Sequence, residues 1–114
     1  MKPIVKQEVQ DVLDKLVNKN LYIHLETTNG AYASFHNEKN LTVGAYIRNS
    51  VVRFSRGSIV GNGPYRVGLK MEHGWIYAEG LTDWELDEQN RLLLAGHDAE
   101  GRLTVALQLS DQPF

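Results

Sequence analysis

The 114-residue sequence predicts a mainly β fold: an antiparallel sandwich or barrel of short strands with one N-terminal amphipathic α-helix. Three observations predict it. Apolar residues recur at spacings of three and four up to Asn20 and at a spacing of two beyond it, the change from a helix period to a strand period. Short alternating runs broken by Gly and Asn repeat about every ten residues, as in all-β domains. The connections are too short for the crossovers that a parallel sheet requires. One domain over 1–114 is expected, with a helix at about 3–18 and a β-rich body over 21–110.

The helix rests on Ile4, Val5, Val9, Val12, Leu13, Leu16 and Val17, which fall on one stripe, while Lys6, Gln7, Gln10, Asp11, Asp14 and Lys15 form a solvated face. Pro3 suits a first helical position, where a missing N–H costs nothing. Asn18-Lys19-Asn20 closes the helix, because Asn tolerates the left-handed conformation. A stripe this apolar is expected to pack on the chain's own sheet.

The strands follow in order. Leu21, Ile23 and Leu25 alternate with Tyr22, His24 and Glu26, and Thr28-Asn29-Gly30 turns into Ala31–Phe35. Leu41–Ile47 alternates again, and Asn49-Ser50 is expected to turn the chain into Val51–Phe54. Gly57 precedes a short run over Ser58–Val60. Gly61-Asn62-Gly63-Pro64 is the strongest break in the chain. Tyr65, Val67, Leu69 and Met71 alternate beyond it, and His73-Gly74 turns into Trp75–Glu79. Further strands are expected at about 81–86, 91–97 and 102–110, the last two joined by an Asp98–Gly101 turn.

Composition excludes several function classes. Twelve Lys and Arg against fourteen Asp and Glu leave a net charge of -2, not the footprint of a general nucleic-acid binder. Zero Cys removes disulfides, thiolate metal sites and a Cys nucleophile. No run approaches the roughly 20 apolar residues of a membrane span, and Met1–Lys6 lacks the apolar segment of an export signal, so a cytoplasmic location is expected. The charge is uneven, however. Arg48, Arg53, Arg56 and Arg66 lie in a stretch with no acidic residue between Leu41 and Met71.

Neither a phosphate-binding P-loop, a Gly-x-Ser-x-Gly elbow nor a His-Glu-x-x-His helix is present. Three partial constellations remain. His24 and Glu26 share one strand face, Glu72 and His73 adjoin at a strand end, and His36 lies near another. Imidazole with carboxylate suits an acid–base pair or a divalent metal, against the simpler reading of a polar strand face. The Gly61–Arg66 loop can converge backbone N–H groups on an anion, with Arg66 adding a guanidinium fork and Arg48 or Lys70 assisting, against a plain tight turn. Tyr46, Tyr65, Trp75, Tyr77 and Trp84 can line a pocket, against core or interface packing. The acidic interleaving argues against nucleic acid as the ligand of these aromatics.

Three long words of sequence resemble one family. Tyr22–Ala33 (YIHLETTNGAYA), Thr42–Asn49 (TVGAYIRN) and Gly61–Glu85 (GNGPYRVGLKMEHGWIYAEGLTDWE) are similar to the YojF family of small bacilli proteins, and the likeness runs over nearly the whole chain. It implies a compact, mainly β, cytoplasmic protein without an assigned activity. It also implies a partner, a zinc-dependent deacetylase of the bacillithiol type encoded beside it. It carries no catalytic motif that transfers position by position.

The favoured reading is a non-catalytic accessory or small-molecule and anion-binding domain. Its candidate ligand residues are Arg48, Asn62, Tyr65, Arg66 and Trp75, with Arg66 on an anionic group and Tyr65 and Trp75 against the ligand body. The first alternative is a small enzyme using His24 with Glu26, or Glu72 with His73, as acid–base pairs or a metal site; no other cofactor is implied. The second is a structural subunit whose helix and aromatics form a homodimer.

Overall fold

The structure, a computed structural model, describes residues 1–28 and 44–114. Its elements run β1 (Lys2–Pro3), α1 (Lys6–Leu16), β2 (Leu21–Thr28), β3 (Gly44–Val52), β4 (Phe54–Gly61), β5 (Tyr65–Met71), β6 (Trp75–Leu81), β7 (Asp83–Leu86), β8 (Leu92–His97) and β9 (Leu103–Ser110). The expected strand over Ala31–Phe35, its Asn29-Gly30 turn, the beginning of the next strand at Leu41 and His36 all lie outside the described residues.

Every described strand pair is antiparallel. One sheet has the order β1-β7-β8-β9-β2-β3 and the other β4-β5-β6. The larger sheet ends at β1 and β3 without closing, so of the two expected architectures the sandwich is the one formed. The chain passes from one sheet to the other at Arg53, between β3 and β4, and again at Thr82, between β6 and β7. Leu21 and Ile23, Phe54 and Ile59, Val67 and Leu69, Leu92 and Leu94, and Leu107 and Leu109 meet between the sheets as one buried cluster, which Val9 and Leu13 of α1 join. Such burial supplies most of the drive to fold. No helix among the described residues is long and apolar enough to cross a membrane.

Several boundaries differ from the sequence reading, each for a non-local reason. The helix begins at Lys6, not Pro3. Pro3 instead pairs with Asp83 at the sheet edge, where a proline without an N–H is tolerated, and the Ile4 N–H donates to Thr82 O at 3.0 Å. Asn18, at φ 61, closes the helix as expected. Asn49-Ser50 is not a turn but lies inside the nine-residue β3, where Asn49, at φ 60, forms a bulge opposite Ile23 and His24. Gly57 lies in the middle of β4, under the helix. A Cβ there would stand 3.0 Å from Phe54 Cε2 and 3.3 Å from Leu13 Cβ, so only Gly lets α1 approach.

Helix α1 also covers the free edge of β4. Gln10, expected on the solvated face, turns its carboxamide onto the strand: Nε2 donates to Gly57 O (2.8 Å) and Oε1 accepts from Ile59 N–H (3.0 Å). Lys6 Nζ donates to Gly61 O, and Asn18 N–H to Phe54 O. Four backbone groups that would otherwise template strand addition are thereby occupied.

Two hairpin turns repeat one local design eleven residues apart. In Asp87–Arg91 and in Asp98–Arg102 the aspartate Oδ1 accepts two backbone N–H groups, and Oδ2 holds the guanidinium of the arginine four residues on (2.6 and 2.9 Å). The fourth position is left-handed in both, Asn90 at φ 58 and Gly101 at φ 78. Burial pushes the Asp87 carboxyl up, but the Arg91 and Gln89 hydrogen bonds outweigh it and hold it below 3.8. The backbone N–H of Arg102 does most to lower Asp98. Carboxylates depressed by folding stabilise the protein fully above their unfolded value, and that contribution fades as pH falls through the folded one. Stability is therefore expected to drop as the pH falls below 3.8 and on through the lowered values of the folded state. The double variant Asp87→Asn/Asp98→Asn should show a shallower acid limb in urea titrations. Parallel limbs in the two proteins would exclude these turns as its source.

Candidate functional site

The predicted site residues fall on three separate surfaces. The first is the outer face of the three-stranded sheet. Strand alternation sends Tyr65, Val67 and Leu69 inward and Arg66, Gly68 and Lys70 outward. Cross-strand register then builds a grid with three rows, Arg56–Lys70–Trp75, Ser58–Gly68–Tyr77 and Val60–Arg66, the last completed by Glu79, whose Oε1 lies 2.6 Å from Arg66 Nη2. Gly68 is the centre of the grid. A Cβ there would stand 2.9 Å from Tyr77 Cε1 and 3.6 Å from Trp75 Cε3, so its absence lets both rings lie across β5. The rings are parallel within 6°, with centroids 5.5 Å apart, and remain 44% and 50% exposed.

These rings border a shallow depression of about 210 Å³, together with Arg56, Ser58, Val60 and Arg66. The Arg66 guanidinium is already committed, bound to Glu79 and lying 5.4 Å from the Tyr77 ring. Among the described residues Arg56 donates only its Nε, to Ser58 Oγ at 3.2 Å. The Lys70 ammonium has no partner among the described residues. The cations available to an incoming anion are thus Arg56 and Lys70. Of the predicted ligand residues, Arg66 and Trp75 meet on this face. Tyr65 points to the opposite side and packs against the core. Asn62 is exposed in the turn beyond the grid, where the Gly61 carbonyl is taken by Lys6.

The second surface is the outer face of β2 and β3, where His24, Glu26 and Arg48 come together. His24 is buried, and its Nδ1 lies 3.3 Å from Arg48 Nη1. A guanidinium only donates, so Nδ1 accepts and Nε2 carries the proton, which it gives to Glu26 Oε1 at 3.0 Å. Both ring nitrogens are engaged, and a metal at either would have to displace one of these partners. Phe114 closes over the group. Its ring meets His24 edge-on at 6.4 Å and lies 5.8 Å from the Arg48 and Arg91 guanidinium carbons. The Asn49 carboxamide clamps its backbone, Oδ1 accepting from Phe114 N–H (2.8 Å) and Nδ2 donating to its carbonyl (3.2 Å). Arg48 thus belongs with His24, not with Arg66.

The third surface is the β5–β6 turn. Glu72 and His73 stand 3.9 Å apart and almost fully exposed, without a third group to define a site. Among the described residues no three His, Asp or Glu side chains gather as a metal would require.

One polar cluster escapes the sequence reading. His97 Nδ1 donates to Asp83 Oδ1 at 3.1 Å; the same oxygen accepts from Thr82 Oγ1 at 2.6 Å, and Thr82 Oγ1 accepts the His97 N–H at 3.1 Å. The Thr82 hydroxyl is the main cause of a lowered Asp83 carboxyl, assisted by His97 against the opposing effect of burial. Asp83 and His97 are fourteen apart and meet only because β7 pairs with β8, which sets Asp83 opposite Ala95. No spacing rule finds such a pair. A wider depression of about 540 Å³ lies at the β7–β8 turn, but its walls carry Glu85, Asp87 and Glu88, and its one cation, Arg91, is bound to Asp87.

Comparison with known proteins places this geometry in a family. The family model described as "Protein of unknown function (DUF1806)" matches residues 3–114. The "Uncharacterized protein YojF" of Bacillus subtilis (strain 168) is 57% identical over 114 residues, covering 100% of this chain and 98% of the relative. The crystal structure of the Bacillus subtilis YojF protein superposes with a TM-score of 0.83 at 50% identity, over 99% of this chain and 95% of that one. The chain therefore belongs to the DUF1806 family, as the resemblance to YojF proteins implied.

Proposed function

We propose that the protein is a non-catalytic accessory domain that binds a planar, anionic ligand on the outer face of β4–β5–β6. The observation that carries this reading is the pair of half-exposed parallel rings, Trp75 and Tyr77, stacked on each other against Gly68 beside Arg56 and Lys70. Exposed aromatic surface is costly unless it is used, and a flat ligand recovers that cost by stacking. Two cations in the adjoining row supply the complement for a carboxylate or phosphate. The enzyme such a domain would serve is, on the family resemblance, the zinc-dependent deacetylase of the bacillithiol type, and co-purification of the two tests that partnership.

Tryptophan emission reads the ligand site directly, because Trp84 is buried in the core and Trp75 is exposed. Titration with a nucleoside monophosphate, used as a probe with a flat ring and an anionic group, is expected to quench the emission saturably. Tyr77→Ala should weaken the probe about tenfold, the scale of one lost stacking contact. Arg56→Ala should weaken it and flatten its salt dependence. Binding unchanged in both variants would remove this face from consideration.

A further inference from the structure

The edge strands of the sandwich are treated differently. The edge of β4 is covered by α1 through Gln10, Lys6 and Asn18. The far edge of the larger sheet, β1, is two residues long and contains Pro3. Strand β3 is nine residues long, ends the larger sheet, and carries neither Pro nor Lys. Its outward backbone edge is open among the described residues. It also exposes apolar side chains on both faces: Tyr46 is 72%, Ile47 49% and Val51 57% exposed. Apart from Arg48 and the bulge at Asn49, β3 carries none of the devices that usually blunt such an edge, neither proline, lysine nor, among the described residues, a cover.

The inner face shows where this edge leads. Leu94, Leu107, Leu25 and Ile47 form one cross-strand row through β8, β9, β2 and β3. The first two are fully buried, Leu25 is half-buried against the core, and Ile47 stands open at the end. Among the described residues the apolar row therefore stops at the edge, with none to finish it.

We propose that a second copy of this chain completes the row, β3 pairing antiparallel with β3 of the partner across a two-fold axis at Ile47. Only a register that places a residue opposite itself keeps paired side chains on the same face across such an axis. Centring on Arg48 would set two guanidinium groups against each other, which is unfavourable. Centring on Ile47 brings the two Ile47 side chains together on the inner face and joins the two apolar rows. On the outer face it sets Tyr46 of each chain opposite Arg48 of the other, a cation–π complement. Pairing then runs outward from Ile47 through Tyr46 and Arg48, until the Asn49 bulge ends it on each side. The larger sheet then runs through both copies. This surface is distinct from the ring platform of β4–β5–β6, so its fate and that of the ligand reading are separable.

The test uses the full chain at about 50 µM, a concentration at which a modest dimer is populated. Light scattering after size exclusion is expected to give twice the chain mass, and Ile47→Lys is expected to halve it, without loss of the β-sheet circular dichroism. A cysteine-free chain also allows an unambiguous geometric test. Oxidised Ile47→Cys should run as a covalent dimer under denaturing conditions, while Val5→Cys, also exposed but beside the helix, should not. A monomeric wild type, an Ile47→Lys protein that remains dimeric, or equal cross-linking at both positions would overturn the proposal. Should Ile47→Lys fail to fold, the cross-linking pair still decides.

Discussion

Gly96→Ala is expected to cost about 3 kcal/mol or more, at or above the upper end of overpacking penalties. The position lies in β8 beneath the point where β6 hands the chain to the larger sheet. A Cβ there would overlap the carbonyl oxygen of Gly80, stand 2.6 Å from Val105 Cγ1 and 3.0 Å from Gly80 C. The flexible end of a side chain swings aside for less, but a backbone carbonyl does not, because moving Gly80 drags the crossover at Leu81 and Thr82. That crossover is fixed by the bond from Thr82 N–H to Ala95 O at 2.9 Å and by the N–H of Ile4 on Thr82 O. The proper control is Gly101→Ala. Gly101 has φ 78 and nothing within 4 Å, so its variant meets only left-handed strain, worth about 1–2 kcal/mol. Urea midpoints of the two variants separate clash from strain. Equal losses would mean that the sheets part easily at Gly80, and would contradict this packing.

How much of the fold was legible follows from where its causes lie. The period of three and four before Asn20 is a local property, and it yields a helix. The helix start is not local, because Pro3 and Ile4 are recruited by Asp83 and Thr82, eighty residues away in practice, through pairing the pattern does not encode. Asn49-Ser50 has turn chemistry, and Asn49 does take positive φ. It bulges rather than turns because β2 runs alongside it and Phe114 occupies its carboxamide. Gly57 looks like a strand boundary and is a contact point for Leu13 and Phe54.

The candidate site was legible by halves for the same reason. A spacing of two places Trp75 with Tyr77, and His24 with Glu26, on common faces. It also places neighbours Tyr65 and Arg66 on opposite faces, which separates two residues the sequence reading joined. That Arg48 meets His24 rather than Arg66 depends on which sheet β3 enters, a choice made at Arg53 and invisible in the alternation itself. The mid-chain stretch of arginines survives as a physical feature only in part. Arg56 and Arg66 share the ring platform, whereas Arg48 faces Phe114. The repeated Asp–Arg turn, by contrast, has purely local causes, an aspartate, a left-handed Asn or Gly three residues on and an arginine four residues on, yet the sequence reading marks only Asp98–Gly101 as a turn.

Phe54→Ala is expected to be the most destabilising truncation, at about 3–5 kcal/mol. Phe54 has no exposed surface and is the bulkiest of the fully buried side chains. It stands where the chain enters β4 from β3, and its ring converges with Leu13 on the gap left by Gly57. An eleven-residue helix is too short to persist alone in water, so α1 exists because Val9 and Leu13 have this surface to bury against. Removing the ring takes away transfer energy and leaves a cavity beneath the helix that the flanking strands cannot fill. The loss should also be directional. Amide exchange should accelerate over Lys6–Leu16 more than over β8 and β9, whose own partners are untouched. With the helix loosened, Gln10 and Lys6 leave the β4 edge, and the backbone of Gly57, Ile59 and Gly61 becomes open to strand addition. Phe54→Ala is therefore expected to aggregate at concentrations where Phe54→Leu, which keeps most of the volume, stays dispersed. A uniform rise in exchange across both sheets, with no preference for the helix, would show that Phe54 secures the sandwich as a whole rather than the attachment of α1.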